Sequence, residues 1–227
     1  VKTNESSHEE ISEIAKIADF ILVFGHGVSD EVLHVAEKAK LIQLCSAGFD
    51  GVNVALAGEL GIPVANNGGA NAIPVAEFAI TLALSTIRHL IVTDSDTRAG
   101  DWMRPEVDGR DSHELYGATV GIVGAGRIGS TVAGMLRGFE TETLYTDISR
   151  SEKAEGYGAE RVELNTLLQH SDIITLHTPL NSNTRGLIGK RELEKMKKSA
   201  VLINTCRGPV VDEVALNQAL NDGEIWG

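Results

Sequence analysis

Residues 119–147, TVGIVGAGRIGSTVAGMLRGFETETLYTD, decide how the rest of the chain is read. Thr119 to Val123 is a β-branched, apolar run that stops at Gly124, Ala125, Gly126, Arg127, Ile128, Gly129, after which apolar residues recur at helical spacing. The pattern predicts a strand, a tight turn and a helix N-terminus. Each glycine has its own task in such a turn: Gly124 permits the bend, Gly126 lets a diphosphate approach the backbone, and Gly129 lets helix and strand pack closely. The amides that open the helix, around Arg127 and Ile128, then face the anion. Thr143 to Thr146 is a second run that ends in Asp147, 23 residues after Gly124 and close to the ~20 expected of a ribose-binding acid. A carboxylate there accepts hydrogen bonds from ribose hydroxyls and repels a 2′-phosphate, so the expected cofactor is NAD rather than NADP.

Composition narrows the class. A chain of 227 residues with 42% hydrophobic and 4% aromatic residues suits an aliphatic α/β core. A formal net charge of −12, with Lys and Arg scattered along the chain, opposes attraction to a phosphate backbone, so no nucleic-acid partner is expected. Cys45 and Cys206 lie far apart without metal-type spacing, which gives neither a disulfide framework nor a metal site and suits the cytoplasm. No apolar run approaches the ~20 residues of a membrane span, so no membrane partner is expected.

Outward from the glycine turn, strands and helices alternate. Phe20 to Phe24, Leu41 to Cys45 and Ile62 to Ala65 read as strands, with Asp30 to Ala39 and Val52 to Leu60 as helices between them. The stretch after Pro74, VAEFAITLALSTIRHL, is apolar around most of its circumference and is read as an interdomain helix. Residues 93–117 are polar and Gly- and Pro-containing, so an irregular connection is expected there. Beyond Asp147 come helices near Leu164 to His170 and Lys190 to Met196, strands Ile173 to His177 and Val201 to Asn204, and a helix from Glu213 to Asn221. Another strand is expected to begin at Ile225, near the end of the chain. The predicted architecture is a doubly wound parallel sheet, a Rossmann nucleotide-binding domain over 91–227, preceded by a smaller, incomplete flavodoxin-like α/β domain over 1–90.

In such a sheet the loops after the strands converge on one crevice. They hold His177, Thr178 and Pro179, then Thr205, Cys206 and Arg207. A guanidinium just past a strand end can take a carboxylate bidentately, worth about 1.5 to 3 kcal/mol. The same Arg207 also reads as a surface residue paired with Asp212 or Glu213.

SAGFD (Ser46 to Asp50), GANAIPVAEF (Gly69 to Phe78), ELYGATVGIVGAGRIG (Glu114 to Gly129), LHTPL (Leu176 to Leu180) and NTCRGPVVDEVAL (Asn204 to Leu216) resemble the D-isomer-specific 2-hydroxyacid dehydrogenases, in order and over almost the whole chain. The resemblance implies reversible hydride transfer between NAD(H) and a small 2-hydroxy acid or its 2-keto partner, in a cleft between two domains. It implies that Arg207 is catalytic, binding the substrate carboxylate and polarising the carbonyl. Ala47 and Gly48 would offer amides to that carboxylate, and Asn71 would stand near substrate and nicotinamide. Gly124, Gly126, Arg127, Ile128, Gly129, Asp147, Thr178, Pro179, Thr205 and Cys206 would line the cofactor, and His177 would be a wall residue rather than a general acid. The segment from Arg88 to Tyr116 looks like the arm of a homodimer.

The resemblance also places the family's proton-donating His and its orienting Glu after the strand expected at Ile225, and a further strand before Val1. The 227 residues therefore read as a fragment truncated at both ends, and as a poor catalyst on their own, since an acid at the carbonyl oxygen contributes about 10² to 10⁴ in rate. Two other readings share the scaffold: an NAD(H)-sensing binding protein like the C-terminal-binding corepressors, and a formate-, phosphite- or S-adenosylhomocysteine-type dehydrogenase.

Overall fold

A computed structural model describes residues 7–25, 27–101 and 112–227. The chain forms two compact units that divide between Asn71 and Ala72. The sequence alone puts that boundary near residue 90, on the far side of the helix Ala72–Ile87.

The first unit carries α1 (His8–Ala15), β1 (Phe20–Val23), α2 (Asp30–Val35), β2 (Leu41–Leu44), α3 (Val54–Glu59) and β3 (Val64–Ala65). Its three strands are parallel in the order β1-β2-β3. Ile42, Leu44, Leu33, Ala36 and Ala57 form its core. Helix α2 stops at Val35, short of the expected Ala39, because Ala36 leaves helical geometry at φ −82 and ψ 44.

The second unit begins with α4 (Ala72–Ile87) and α5 (Leu90–Ala99), followed by β4 (Thr119–Val123), α6 (Arg127–Leu136), β5 (Glu142–Thr146), α7 (Glu152–Gly156), β6 (Glu160–Arg161), α8 (Leu164–His170), β7 (Ile173–Leu176), α9 (Lys190–Leu193), β8 (Val201–Asn204) and α10 (Glu213–Asn221). All five strands are parallel, in the order β6-β5-β4-β7-β8. The chain leaves β4 toward β5 and β6, then crosses back to β7 on the other side. That reversal at β4 makes the crevice above it the switch point where ligands of such sheets bind. Every residue of β7 is buried, as expected for a central parallel strand covered on both faces. Burial of Ile122, Ile174, Leu176, Leu167 and Leu168, at about 1.5 to 3 kcal/mol each, outweighs any single polar contact near the crevice.

Helix α4 holds Pro74 in its first turn, where a missing amide is harmless. Its buried alanines, Ala76, Ala79 and Ala83, form a small-residue stripe on one face that the larger Ile87 extends, and the helix packs on α6 and β8. Alanines let the helices approach closely, and this stripe ties α4 to the second unit. Part of the expected irregular connection is also corrected: Leu90–Ala99 is helical, ended by Gly100 at φ 82. Sequence polarity hid this helix because none of its residues is buried. Residues 102–111 of the same segment lie outside the described residues. The strand expected from Ile225 is not formed as such; Trp226 donates to the Ala200 carbonyl and Leu202 donates to that of Gly227, so this stretch runs beside β8 without a full ladder. Among the described residues no single helix is long and apolar enough to cross a membrane.

Candidate functional site

Three glycines shape the turn above β4. Gly124 sits at φ +94, and a Cβ there would stand 2.8 Å from the His177 carbonyl oxygen. At Gly129 a Cβ would stand 2.0 Å from the Gly124 carbonyl oxygen and 3.0 Å from Ile122 Cγ2, so the start of α6 can lie on the turn only without a side chain. Gly126 is different: a Cβ would meet nothing within 4 Å. The space in front of Gly126 is open, and Gly126 caps α6 with no side chain bonded to the helix's first amides. The amides that open an α-helix lack acceptors within the helix itself and carry the positive end of its dipole.

Asp147 ends the next strand and turns back to the same loop. Its Oδ2 accepts from the Ala125 amide at 2.7 Å, and its Oδ1 accepts from the Ser149 amide at 3.3 Å. Arg161 donates to the Asp147 carbonyl oxygen at 2.9 Å. The carboxylate is half-buried beside the glycine turn, with lone pairs left for further donors. Ser151 holds Ala125 from the opposite side, its hydroxyl donating to the Ala125 carbonyl at 2.7 Å. Ala125 and Ser151 were not singled out in the sequence. The Ser151 signal was a helix cap, since its Oγ accepts from the Ala154 amide at the start of α7.

The loop after β7 borders the turn. The His177 amide donates to the Val123 carbonyl at 2.8 Å, extending the β7 to β4 pairing. The half-buried imidazole has Nε2 at 2.9 Å from Thr175 Oγ1 and Nδ1 at 3.4 Å from Thr205 Oγ1. Burial pulls its pKa down from 6.5 to about 4, so the ring is neutral near pH 7. Thr178 is next. Its hydroxyl oxygen is buried and has no hydrogen-bond partner, while its methyl would lie 3.1 Å from a Cβ on Gly124. A buried hydroxyl left unpaired at a crevice mouth is a place for a ligand's polar atom.

The loop after β8 is folded on itself. Asn204 Oδ1 accepts from the Cys206 amide and from its Sγ, each at 3.0 Å, and Asn204 Nδ2 donates to the Arg207 carbonyl at 2.9 Å. Arg207 in turn donates from Nη1 to the Cys206 carbonyl at 2.8 Å. The Asp212 carboxylate, one of the two alternative partners read for Arg207, caps α10 by accepting from the Val214 and Ala215 amides.

Within the second unit, then, the structure gathers Gly124 to Gly129, Asp147, His177 to Pro179 and Thr205 to Arg207 at the carboxyl ends of adjacent strands. Ala47, Gly48 and Asn71 belong to the first unit. There the carbonyls of Ala47 and Gly48 accept from Asn66 Nδ2 and Ser46 Oγ, both at 2.7 Å. Neither of their amides donates a hydrogen bond among the described residues. The orphaned Thr178 hydroxyl, the open space at Gly126 and the uncapped first turn of α6 together fit a dinucleotide, whose diphosphate the turn would hold and whose ribose Asp147 would hold. Among the described residues no cluster of three or more His, Cys, Asp or Glu side chains could hold a metal ion.

Comparison with known proteins agrees with this geometry. The family model described as "D-isomer specific 2-hydroxyacid dehydrogenase, NAD binding domain" matches residues 80–227. The D-3-phosphoglycerate dehydrogenase of Archaeoglobus fulgidus is 37% identical over 99% of this chain, and the match takes in 42% of that protein. The glyoxylate reductase of Thermococcus litoralis is 37% identical over 96% of this chain and 67% of that protein. Among solved structures, the D-lactate dehydrogenase of Aquifex aeolicus, complexed with NAD and lactic acid, superposes with a TM-score of 0.86 at 30% identity, over 95% of this chain and 65% of that one. The chain thus spans from about two fifths to about two thirds of the length of these relatives.

Proposed function

Because this chain belongs to the D-isomer-specific 2-hydroxyacid dehydrogenases and carries their NAD-binding domain, we propose that the protein it belongs to transfers a hydride reversibly between NAD(H) and a small 2-hydroxy acid or 2-keto acid. The observation that carries this reading is the turn at Gly124 to Gly129 with Asp147 bonded to its Ala125 amide. When bound, the nicotinamide supplies or accepts the hydride. The chain's own residues hold it in place: the α6 amides take the diphosphate, Asp147 takes the adenosine ribose, and Thr178 offers a hydroxyl that has no protein partner.

In this reading Arg207 binds the substrate carboxylate and polarises the carbonyl, supported by a loop whose backbone Asn204 fixes. Ala47, Gly48 and Asn71 supply the first unit's share of substrate recognition, since two backbone amides there are left to donate. His177 is a wall of the cofactor site and not the proton donor, because a ring with a pKa of about 4 holds no proton to give near neutrality. The substrate class follows the relatives: glyoxylate, lactate and 3-phosphoglycerate or their partners. Two half-buried thiols, Cys45 and Cys206, suit a cytoplasmic setting. Exposed Leu90, Ile91 and Val92 on α5, with Ile91 76% exposed, support a homodimer through that helix.

The test is NADH oxidation by the full-length protein against a panel of 2-keto acids, beside an Arg207→Ala variant. Turnover of one keto acid that falls by at least ~10²-fold in the variant is expected, since a bidentate, charge-assisted contact in the transition state is removed. A keto acid turned over equally by both proteins overturns the role of Arg207.

A further inference from the structure

Past Asp147 the chain turns through Arg150 and Ser151, whose polar groups are wired to one another. Arg150 reaches Glu155 with Nε at 2.9 Å from Oε1 and 2.7 Å from Oε2, and with Nη2 at 2.7 Å from Oε2. Glu155 is fixed from its other side. The Tyr145 hydroxyl donates to Oε1 at 2.8 Å and accepts from the Ser151 amide at 3.0 Å. Tyr145 is fully buried, so this carboxylate hangs from the core and not from a loop. Tyr145 and Arg150 hold its pKa below the usual carboxylate range.

The same turn borders a groove. Gly126, Arg127, Ser130, Arg150, Ser151 and Lys153 line it, together with Ala125 and the acidic Glu152. Ala125 joins the groove to the ribose acid, its amide bonded to Asp147 and its carbonyl to Ser151. Three cationic side chains therefore stand beside the place where Asp147 meets the ribose. A phosphate on the 2′-oxygen is the group an arginine at such a position accommodates. A guanidinium whose fork already grips a carboxylate is compensated in charge and engaged in geometry.

We infer that Glu155 is a positioning residue for coenzyme choice: by gripping Arg150 it withholds that guanidinium from a ribose 2′-phosphate, and so reinforces the preference for NAD set by Asp147. The inference rests on the nucleotide-binding reading above. It assigns to the Tyr145, Glu155 and Arg150 chain a role in discrimination, where fold stability alone would require no arginine.

The test is calorimetric titration of the full protein with NADH and, separately, NADPH, at one fixed ionic strength. The parent is expected to prefer NADH. Glu155→Gln is expected to raise NADPH affinity about tenfold, with NADH affinity held within about twofold, since one charge-assisted phosphate contact is gained. Adding Arg150→Ala to Glu155→Gln is expected to cancel the gain. Arg150→Ala alone, at an exposed side chain and independent of how Glu155→Gln folds, is expected to leave NADPH affinity within about twofold of the parent, because the parent does not offer that group. Unchanged NADPH affinity in folded Glu155→Gln overturns the inference, as does a gain that survives loss of Arg150. A several-fold fall in NADPH affinity for Arg150→Ala alone also overturns it. A parent that binds neither nucleotide overturns the nucleotide-binding reading itself and this inference with it, and the NADH arm distinguishes that failure from the others.

Discussion

Replacing Gly126 with alanine separates ligand binding from folding. The residue sits at φ −70 and ψ −151, within reach of any L-residue, and its new methyl would meet no protein atom within 4 Å. Alanine is a poorer N-cap than glycine, while the loss of chain entropy in the unfolded state favours it by about 0.4 to 1 kcal/mol, so the two effects roughly offset. Stability should stay within about 0.5 kcal/mol of the parent. The methyl does stand where a diphosphate would approach the first turn of α6. Displacing the anion by about 1 Å stretches an N–H to O⁻ bond from ~2.9 Å beyond useful length, and one such bond is worth about 1.5 to 3 kcal/mol. NADH affinity should therefore fall about 10- to 150-fold. Gly129→Ala is the contrasting variant: its Cβ would lie 2.0 Å from the Gly124 carbonyl oxygen, so α6 must shift from the turn at a cost of about 1 to 3 kcal/mol or more. Calorimetric titration with NADH and urea denaturation of the three proteins distinguish the two effects. Folded Gly126→Ala protein that binds NADH as tightly as the parent refutes the placement of the diphosphate.

Two further outcomes follow from the wall of the crevice and from the strand beside it. His177 has its pKa lowered from 6.5 to about 4 by burial, so the unfolded chain takes up the proton first; its contribution to stability is intact above pH 6.5 and declines as pH falls toward 4, by about 3 kcal/mol in all. Urea midpoints measured from pH 7 to pH 4 should show that decline in the parent and a shallower one in His177→Asn; identical pH profiles contradict the burial argument. Tyr145→Phe removes the hydroxyl that bonds Glu155 and the Ser151 amide, and should cost about 1 to 3 kcal/mol in urea denaturation, because a partly buried amide loses its acceptor. A change below about 0.5 kcal/mol contradicts the network's structural part.

Much of the fold was legible because parallel strands buried on both faces must be written as apolar runs. Thr119 to Val123 and Ile173 to Leu176 have no exposed face to blur the signal, while Val201 to Asn204, at the sheet edge, alternates buried with half-buried residues and is marked by its apolar start. The glycine turn was legible for a steric reason: the contacts at Gly124 and Gly129 admit no side chain, so the sequence has no alternative there. The limits are equally physical. Helix α5 buries none of its residues, so no apolar periodicity marks it. Strand β6 is two exposed residues, Glu160 and Arg161, held by backbone pairing to β5. Helix α4 read as an interdomain element because it is apolar nearly all round; its alanine stripe, packed on α6 and β8, fixes its allegiance, and that depends on contacts distant in sequence. The neutral state of His177 and the linkage of Tyr145, Glu155 and Arg150 likewise arise from burial and three-dimensional neighbours, which a residue string does not display.

In the proposed reading, backbone amides at the β4 to α6 turn receive the cofactor's diphosphate while Asp147 holds its ribose. The most direct measurement is the residue-by-residue displacement of backbone amide resonances as NADH is added to isotope-labelled protein. The largest displacements are expected at Ala125 to Gly129, at Asp147 and at Thr178, saturating together with a single affinity. Displacements confined to other regions, or none at all in a well-folded sample, contradict the claim.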